Sequence, residues 1–357
     1  VDDDVRAFLA DMMGRTDAAI ELASSARDFV PEWDLMTRSL IPYTLSRAWR
    51  LRGDLDRAIS FLDEEAELSR LAGSTWTLAG AVHEKVLVHT LRGRLRDADH
   101  ELNEFFSSLP EHAARGPIAK TISGRAELLR ERRDLDQAVR LADEALELVT
   151  SWGLPSDICY CLQNRVRIAL SAGDAPAARG LLARVDDVVR NARVYSSIPI
   201  RHASQYARLI AFERHPGDAD AWLAGTGRAD PPGNPIDCES LEIARARLLI
   251  VAGRAAEAVP LLAELAASAE RGGRIGRLIE ILVLRAAAAS QSGDDSRSLS
   301  AAEPLARALE LAQPEGYASV FLDEREPLVG LLSGLHDSTV ELTSSIESYA
   351  NHLISLA

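Results

Sequence analysis

Arg50-Leu-Arg-Gly53-Asp-Leu-Asp-Arg-Ala58 returns as Thr90-Leu-Arg-Gly93-Arg-Leu-Arg-Asp-Ala98 and again as Arg130-Glu-Arg-Arg133-Asp-Leu-Asp-Gln-Ala138. Outward from these three copies the same punctuation recurs at Gly14-Arg-Thr-Asp17, Gly173-Asp-Ala-Pro176, Gly217-Asp-Ala-Asp220, Gly253-Arg-Ala-Ala256 and Gly293-Asp-Asp-Ser296. Measured between first residues, the eight markers lie 39, 40, 40, 40, 44, 36 and 40 residues apart, and a period so constant is the signature of a repeat array. Each marker separates two amphipathic stretches. Its glycine suits a left-handed helix end, and the Asp or Pro that follows suits the start of the next helix. The unit is therefore helix A, tight turn, helix B.

Five residues after the marker stands an alanine in most units (Ala58, Ala98, Ala138, Ala178, Ala258), small enough to let two helices approach. Helix B then carries apolar residues at helical spacing, as in Phe61, Leu62 and Leu68 or Leu261, Leu262 and Leu265. One such pair cannot bury its own apolar stripe, so neighbours must stack. The expected fold is an all-α superhelical solenoid of about eight helix-turn-helix repeats of about 40 residues, with a concave groove lined by the A helices. The Gly- and Pro-rich stretch 224–235 reads as a kinked loop between an N-terminal arm (1–223) and a C-terminal arm with its cap (236–357), all within one continuous solenoid. The cap begins where Pro314-Glu-Gly-Tyr317 and Phe321-Leu-Asp-Glu324 depart from the repeat.

Bulk composition narrows the function classes. A formal charge of −14 leaves this segment without the cationic surface that dominates nucleic-acid binding. Three cysteines, Cys159, Cys161 and Cys238, make neither a disulfide framework nor a zinc spacing, which points to a reducing cytoplasm. No apolar run reaches membrane-span length, and Val1-Asp2-Asp3-Asp4 is acidic where a signal peptide would be basic, so the expectation is a soluble piece of a longer chain. No nucleophile elbow, H-E-x-x-H helix or dinucleotide fingerprint occurs, and Gly225-Thr-Gly227 lacks the strand and third glycine of a phosphate loop. The expectation is no enzyme, no metal site and no cofactor in this segment.

In period and construction the units resemble tetratricopeptide (TPR) repeats. Ala244-Arg-Ala-Arg-Leu-Leu-Ile-Val-Ala-Gly253-Arg, Gly293-Asp294, and above all Pro314-Glu-Gly-Tyr317 with Phe321-Leu-Asp-Glu324 are similar to the sensor region of MalT-type, large ATP-dependent LuxR-family transcription regulators. That resemblance implies an inducer-sensing, self-associating module. ATP would belong to an N-terminal domain of the parent and DNA reading to a domain after the cap; no G-x-x-x-x-G-K loop is present here.

Aligned on the marker, the A helices present two columns. Positions ten, six and three before it share a face that in TPR helices lines the groove. The column is polar in the second to fifth repeats, so the candidate ligand site is the N-terminal arm: Tyr43, Arg47, Arg50, His83, Glu127, Arg130, Gln163 and Arg167. The alternative is an ordinary solvated face. Eight before the marker, on the opposite face, recur Lys85, Arg125, Arg165, Arg245 and Arg285, while Glu64, Glu104, Glu144 and Glu264 stand eleven after it. Buried charge needs a partner, so a structural ladder is expected in which Glu64 meets Lys85, Glu104 meets Arg125, Glu144 meets Arg165 and Glu264 meets Arg285. Cations that snorkel to solvent are the alternative. Trp76 and Trp152 are candidate stacking platforms at the groove rim. Two functions fit: a sensor that binds a small inducer in the groove, or a scaffold for a peptide or partner domain.

Overall fold

The computed structural model describes residues 2–110, 114–226, 233–291, 297–335, 340 and 342–357, and among them there is helix and no strand. The helices pair as expected. Repeat one is α1 (Asp2–Met12) with α2 (Thr16–Ala26), repeat two α3 (Leu35–Arg52) with α4 (Leu55–Leu71), and repeat three α5 (Thr75–Leu91) with α6 (Leu95–Ser108). Then follow α7 (Ala119–Glu131) with α8 (Leu135–Trp152), α9 (Pro155–Ser171) with α10 (Ala175–Asn191), and α11 (Ser197–Glu213) with a short α12 (Pro216–Ala221). The last two pairs are α13 (Pro235–Val251) with α14 (Ala255–Arg271) and α15 (Ile275–Gln291) with α16 (Arg297–Ala312). The cap holds α17 (Ser319–Leu322), α18 (Glu326–Gly334) and α19 (Ser344–Ser355).

The turn chemistry is that of the marker. Gly53 stands at φ +86, its N–H bonds Arg50 O at 2.9 Å, and Asp54 N reaches Trp49 O at 3.0 Å. Asp54 then caps α4 by accepting from Arg57 N. The alanines five residues on, Ala58, Ala98, Ala138, Ala178 and Ala258, are fully buried, where a larger side chain would hold helices A and B apart.

One marker is corrected. Gly217 lies inside α12, and the sixth turn is instead at Arg214, which takes the left-handed conformation at φ +54. Counted from Gly173 to Arg214 to Gly253 the intervals become 41 and 39, so the apparent break of period disappears. Ala219, five residues after Arg214, is fully buried like its counterparts. What breaks at this point is the length of helix B. α12 ends at Ala221 and a π-turn at Trp222–Thr226 follows, so α11 packs directly on α13. Of the loop 224–235, residues 227–232 lie outside the described residues, as does the marker Gly293. A non-glycine residue in the left-handed region costs roughly 1–2 kcal/mol, and the exposed Arg214 makes no recorded ion pair there. Arg214→Gly is therefore expected to raise stability by about 1 kcal/mol; a urea midpoint at or below that of the wild type would contradict it.

The stack closes on itself after about five repeats. Ser196, just before α11, donates to Met12 O at 2.9 Å, joining repeats one and six. α3 packs on α13 and α5 on α15, joining two with seven and three with eight. The cap continues the series: Ala318 N bonds Glu131 O at 2.9 Å and Val320 N bonds Glu131 Oε1 at 2.8 Å, seating α17 on α7. The groove thus becomes the interior of a superhelical turn.

Candidate functional site

Inside that turn lies a cavity of about 290 Å³, walled almost entirely by the odd-numbered helices and the cap. Of the eight sequence-predicted groove residues, Arg47, Arg50, His83, Glu127 and Arg167 line it. Tyr43, Arg130 and Gln163 do not. Tyr43 lies under the Arg47 guanidinium, 5.6 Å from ring centroid to Cζ. Gln163 is buried in the α9–α11 seam, where its Nε2 donates to Ile198 O at 3.1 Å. Arg130 is fully buried and serves the cap, bonding Glu127, Glu131, Ser171 and Asp323.

The site is also not confined to the N-terminal arm. Because the turn closes, Arg201, Ser204, Arg208, Arg247, Arg277 and Glu280 face Arg47 and Arg50 across the same space. Arg247 stands at the groove position six before its own marker, Gly253, whereas register hid Ser204, Arg208, Arg201 and Glu280. Counting from Arg214 rather than Gly217, the groove positions of repeat six are Ser204, Arg208 and Ala211 in place of Ala207, Ala211 and Arg214. One helical turn further from the marker, thirteen residues before it, stand Lys120, Tyr160, Arg201, Ser240 and Glu280, all lining residues. Extending the column by that turn would have found them.

Eight cations and eight carboxylates line the cavity, and most are already partnered. Arg47 bridges Asp11 and Glu84 at 2.8 Å each, with its guanidinium 4.0 Å above the Tyr195 ring, and Arg50 holds the other Glu84 oxygen at 2.9 Å. Burial alone would raise the Glu84 carboxyl, but Arg50 and Arg47 together hold it well below the usual carboxylate range. Across the cavity Glu280 is held low against its own burial by Arg208, Arg247 and Arg277. Lys120 pairs with Asp157 at 3.0 Å, and Arg167 pairs with Glu127. Arg201 differs from these. It stacks on Tyr160 at 4.6 Å and bonds only the amide oxygen of Asn164, with no carboxylate in ion-pair reach among the described residues. Buried polar atoms without a protein partner also face this region: His83 Nδ1, Glu127 Oε2, Gln205 Oε1, and Arg167 Nε.

The ladder on the opposite face is shifted by one residue. Lys85 bonds Asp63 at 2.7 Å and Glu101 at 3.3 Å, not Glu64; Arg125 bonds Asn103, not Glu104; Arg165 bonds Asp143 at 2.7 Å, not Glu144. The displaced Glu64 and Glu144 pair instead with Arg27 and Arg115, and Glu104 lies 3.9 Å from His100. Glu264 and Arg285, both among the described residues, do not pair with each other, and Arg245 turns to Glu242 at 3.6 Å. Neighbouring positions on a helix differ by about 100°, so ten after the marker faces the next A helix while eleven faces away. Of the two predicted platforms, Trp76 is exposed and lines neither cavity, and the Trp152 side chain lies outside the described residues.

A family model described as the MalT-like TPR region matches residues 4–338. The chain belongs to the MalT-like TPR family. Among solved structures, the crystal structure of the P58(IPK) TPR domain aligns over 96% of this chain and 94% of its own at 14% identity, with a TM-score of 0.22, a likeness too loose to bear on the shape of the MalT-like array. Among the described residues of this MalT-like region no helix is long and apolar enough to cross a membrane, and no cluster of His, Cys, Asp and Glu has the arrangement to hold a metal ion. Burial pushes the Cys159 thiol up to about 11 and that of Cys161 up to about 12, so both are protonated at neutral pH.

His83 gives the MalT-like cavity a pH signature. Burial, with Lys120 nearby, holds its imidazole well below the ordinary value, and it meets Tyr160 edge-on at 4.5 Å. Above pH about 6.5 the ring is neutral folded or unfolded and contributes no pH dependence. As pH falls below that value the unfolded chain takes up a proton that the folded chain refuses. Stability then falls by up to about 1.4 kcal/mol per pH unit for this one group. His83→Phe should remove that component of the slope between pH 6.5 and 5, leaving the part from His89, which burial also depresses, and the opposing part from Glu65, Asp11 and Asp237, whose carboxyls burial raises. Equal slopes for variant and wild type in urea unfolding would refute the assignment.

Proposed function

We propose that this chain is the sensor module of a bacterial transcription regulator of the LuxR type, taking up a small polar inducer in the interior cavity and coupling its occupancy to self-association in the cytoplasm. The carrying observation is closure of the superhelix. A groove roofed by the next turn, with donors, acceptors and the Tyr160 and Tyr195 rings converging on one space, has the form of a small-molecule site. An open trough would suit a peptide or partner helix, whereas here repeats one, two and three meet six, seven and eight and wall the space from both halves of the chain.

The coupling has a physical route. Asp323 and Glu324 of the cap reach the cavity wall, where Glu324 holds Arg247 at 2.8 Å and Asp323 holds Arg130 at 2.9 Å. A ligand that competes for Arg247 changes how firmly the cap is seated, and it shifts the resting balance by its difference in affinity between seated and released forms. The test is a thermal-shift screen of neutral sugars, amino acids, nucleotides and organic acids, followed by light scattering with each hit. A ligand at 100 times its Kd stabilises the folded chain by about 2.7 kcal/mol. The expected result is a saturable rise in Tm for one chemical class, accompanied by a change in oligomeric state. Binding of extended peptides alone would overturn the reading.

A further inference from the structure

The chain carries −14 overall, yet one interior chamber collects the opposite sign. Beside the main cavity, and sharing part of its wall, lies a second chamber of about 220 Å³ between α9, α11, α13, α15 and the cap. Five arginines line it, Arg167, Arg208, Arg214, Arg247 and Arg325, against two carboxylates, Asp323 and Glu324.

Those two carboxylates are heavily shared. Asp323 already accepts from Arg130 and Arg133, and Glu324 from Arg247. Arg208 shares Glu280 with Arg247 and Arg277, and Arg167 shares Glu127 with Arg130. Arg167 Nε is buried with no acceptor. At the mouth, Arg214 and Arg325 have no carboxylate within ion-pair distance among the described residues. Arg325 lies flat on Phe212 at 3.7 Å, which leaves its N–H edge free, and its backbone stands at φ +61, a conformation that L residues seldom adopt. Two local effects register the crowding of cations: burial, with Arg247 and Arg167 near, pushes Arg208 down to about 10, and burial with Arg130 lowers Arg167.

We propose that this chamber binds a small organic anion, a phosphate ester or a polycarboxylate. Its anionic group sits between Arg208 and Arg167 within and Arg325 and Arg214 at the entrance, and its carbon skeleton lies on Phe212 and Leu170. Guanidinium forks match the two oxygens of a phosphate or carboxylate, and the apolar wall selects an organic body over a bare inorganic ion. The inference rests on the small-molecule reading of the interior and adds the charge of what enters it.

The test is isothermal titration of the full chain, at low and at high salt, with citrate, glucose 6-phosphate and neutral trehalose, on wild type and on the double variant Arg214→Gln, Arg325→Gln. Both substituted residues lie at the exposed entrance and take no part in the recorded ion pairs, so the variant should fold with an unchanged Tm. The expected result is saturable, one-to-one binding of citrate or glucose 6-phosphate, weakened about tenfold or more in the variant and falling as salt rises. Anion binding that the variant retains in full would overturn the site. Binding of trehalose with neither anion would overturn the charge assignment and leave the small-molecule reading standing. No saturable binding by any of the three would overturn the anion site, and if the broader screen were also blank, the sensor reading with it.

Discussion

Arg130→Met should lower the stability of the chain by about 3–5 kcal/mol, the usual loss when one partner of a buried ion network is removed. Arg130 is a fully buried arginine with four recorded side-chain partners: Glu127 through Nε at 3.1 Å, Ser171 and Asp323 through Nη1 at 3.2 and 2.9 Å, and Glu131 through Nη2. Methionine fills much of the volume but strands the carboxylates that the guanidinium gathers. Glu131 is also the acceptor for Val320 N, and the Arg130 carbonyl accepts from Ser319 Oγ, so the damage falls on the seat of the cap. Arg130→Lys should recover only part of the loss, since a single ammonium cannot reproduce the planar fork. Urea unfolding reads the loss directly, and limited proteolysis should show new cleavage near residues 318–325. A change below about 1 kcal/mol would mean that the network contributes no more than a surface pair.

Gly276→Ala should open the superhelix. A Cβ on Gly276 would lie 2.1 Å from the carbonyl oxygen of Thr90 and 3.3 Å from Tyr317 Oη. The Thr90 carbonyl belongs to the end of α5 and already accepts from Gly93 N at 3.1 Å, so no side-chain rotation relieves the overlap; α15 itself must move. Overpacking of this kind costs about 1–3 kcal/mol, and here the strain is relieved by separating repeats three and eight. The expected result is a larger radius of gyration by small-angle scattering and loss of any ligand that binds the wild-type interior. Gly180→Ala on α10, where a Cβ meets nothing within 4 Å, is the matched control and should be neutral or slightly stabilising. An unchanged scattering profile for Gly276→Ala would show that the contact between turns is soft.

These two residues also show where local pattern stops being informative. The repeat was legible because its determinants are local: a left-handed turn, a capping Asp and a buried alanine five residues later need only their own forty residues. The sixth marker misled because Pro216-Gly217-Asp218 imitates a turn while Arg214 makes it, and Ala219 was the clue to the true register. Closure of the turn was not legible at all. Nothing near Gly276 in sequence announces Thr90, and without that contact the polar face reads as an N-terminal trough rather than a chamber with walls from both halves. The ladder failed by a single position for a related reason, since helix spacing fixes which stripe a residue occupies to within about 100° while tilt against the neighbour decides which member of the stripe makes contact.

An open solenoid can fray from either end, one unit at a time, because each unit answers only to its nearest neighbours. Here repeat one also holds repeat six, and the fourth holds the cap. Removal of the last helices would therefore loosen the beginning of the chain as well as its end, and heat or denaturant should melt the coil in one concerted step, without a populated half-array.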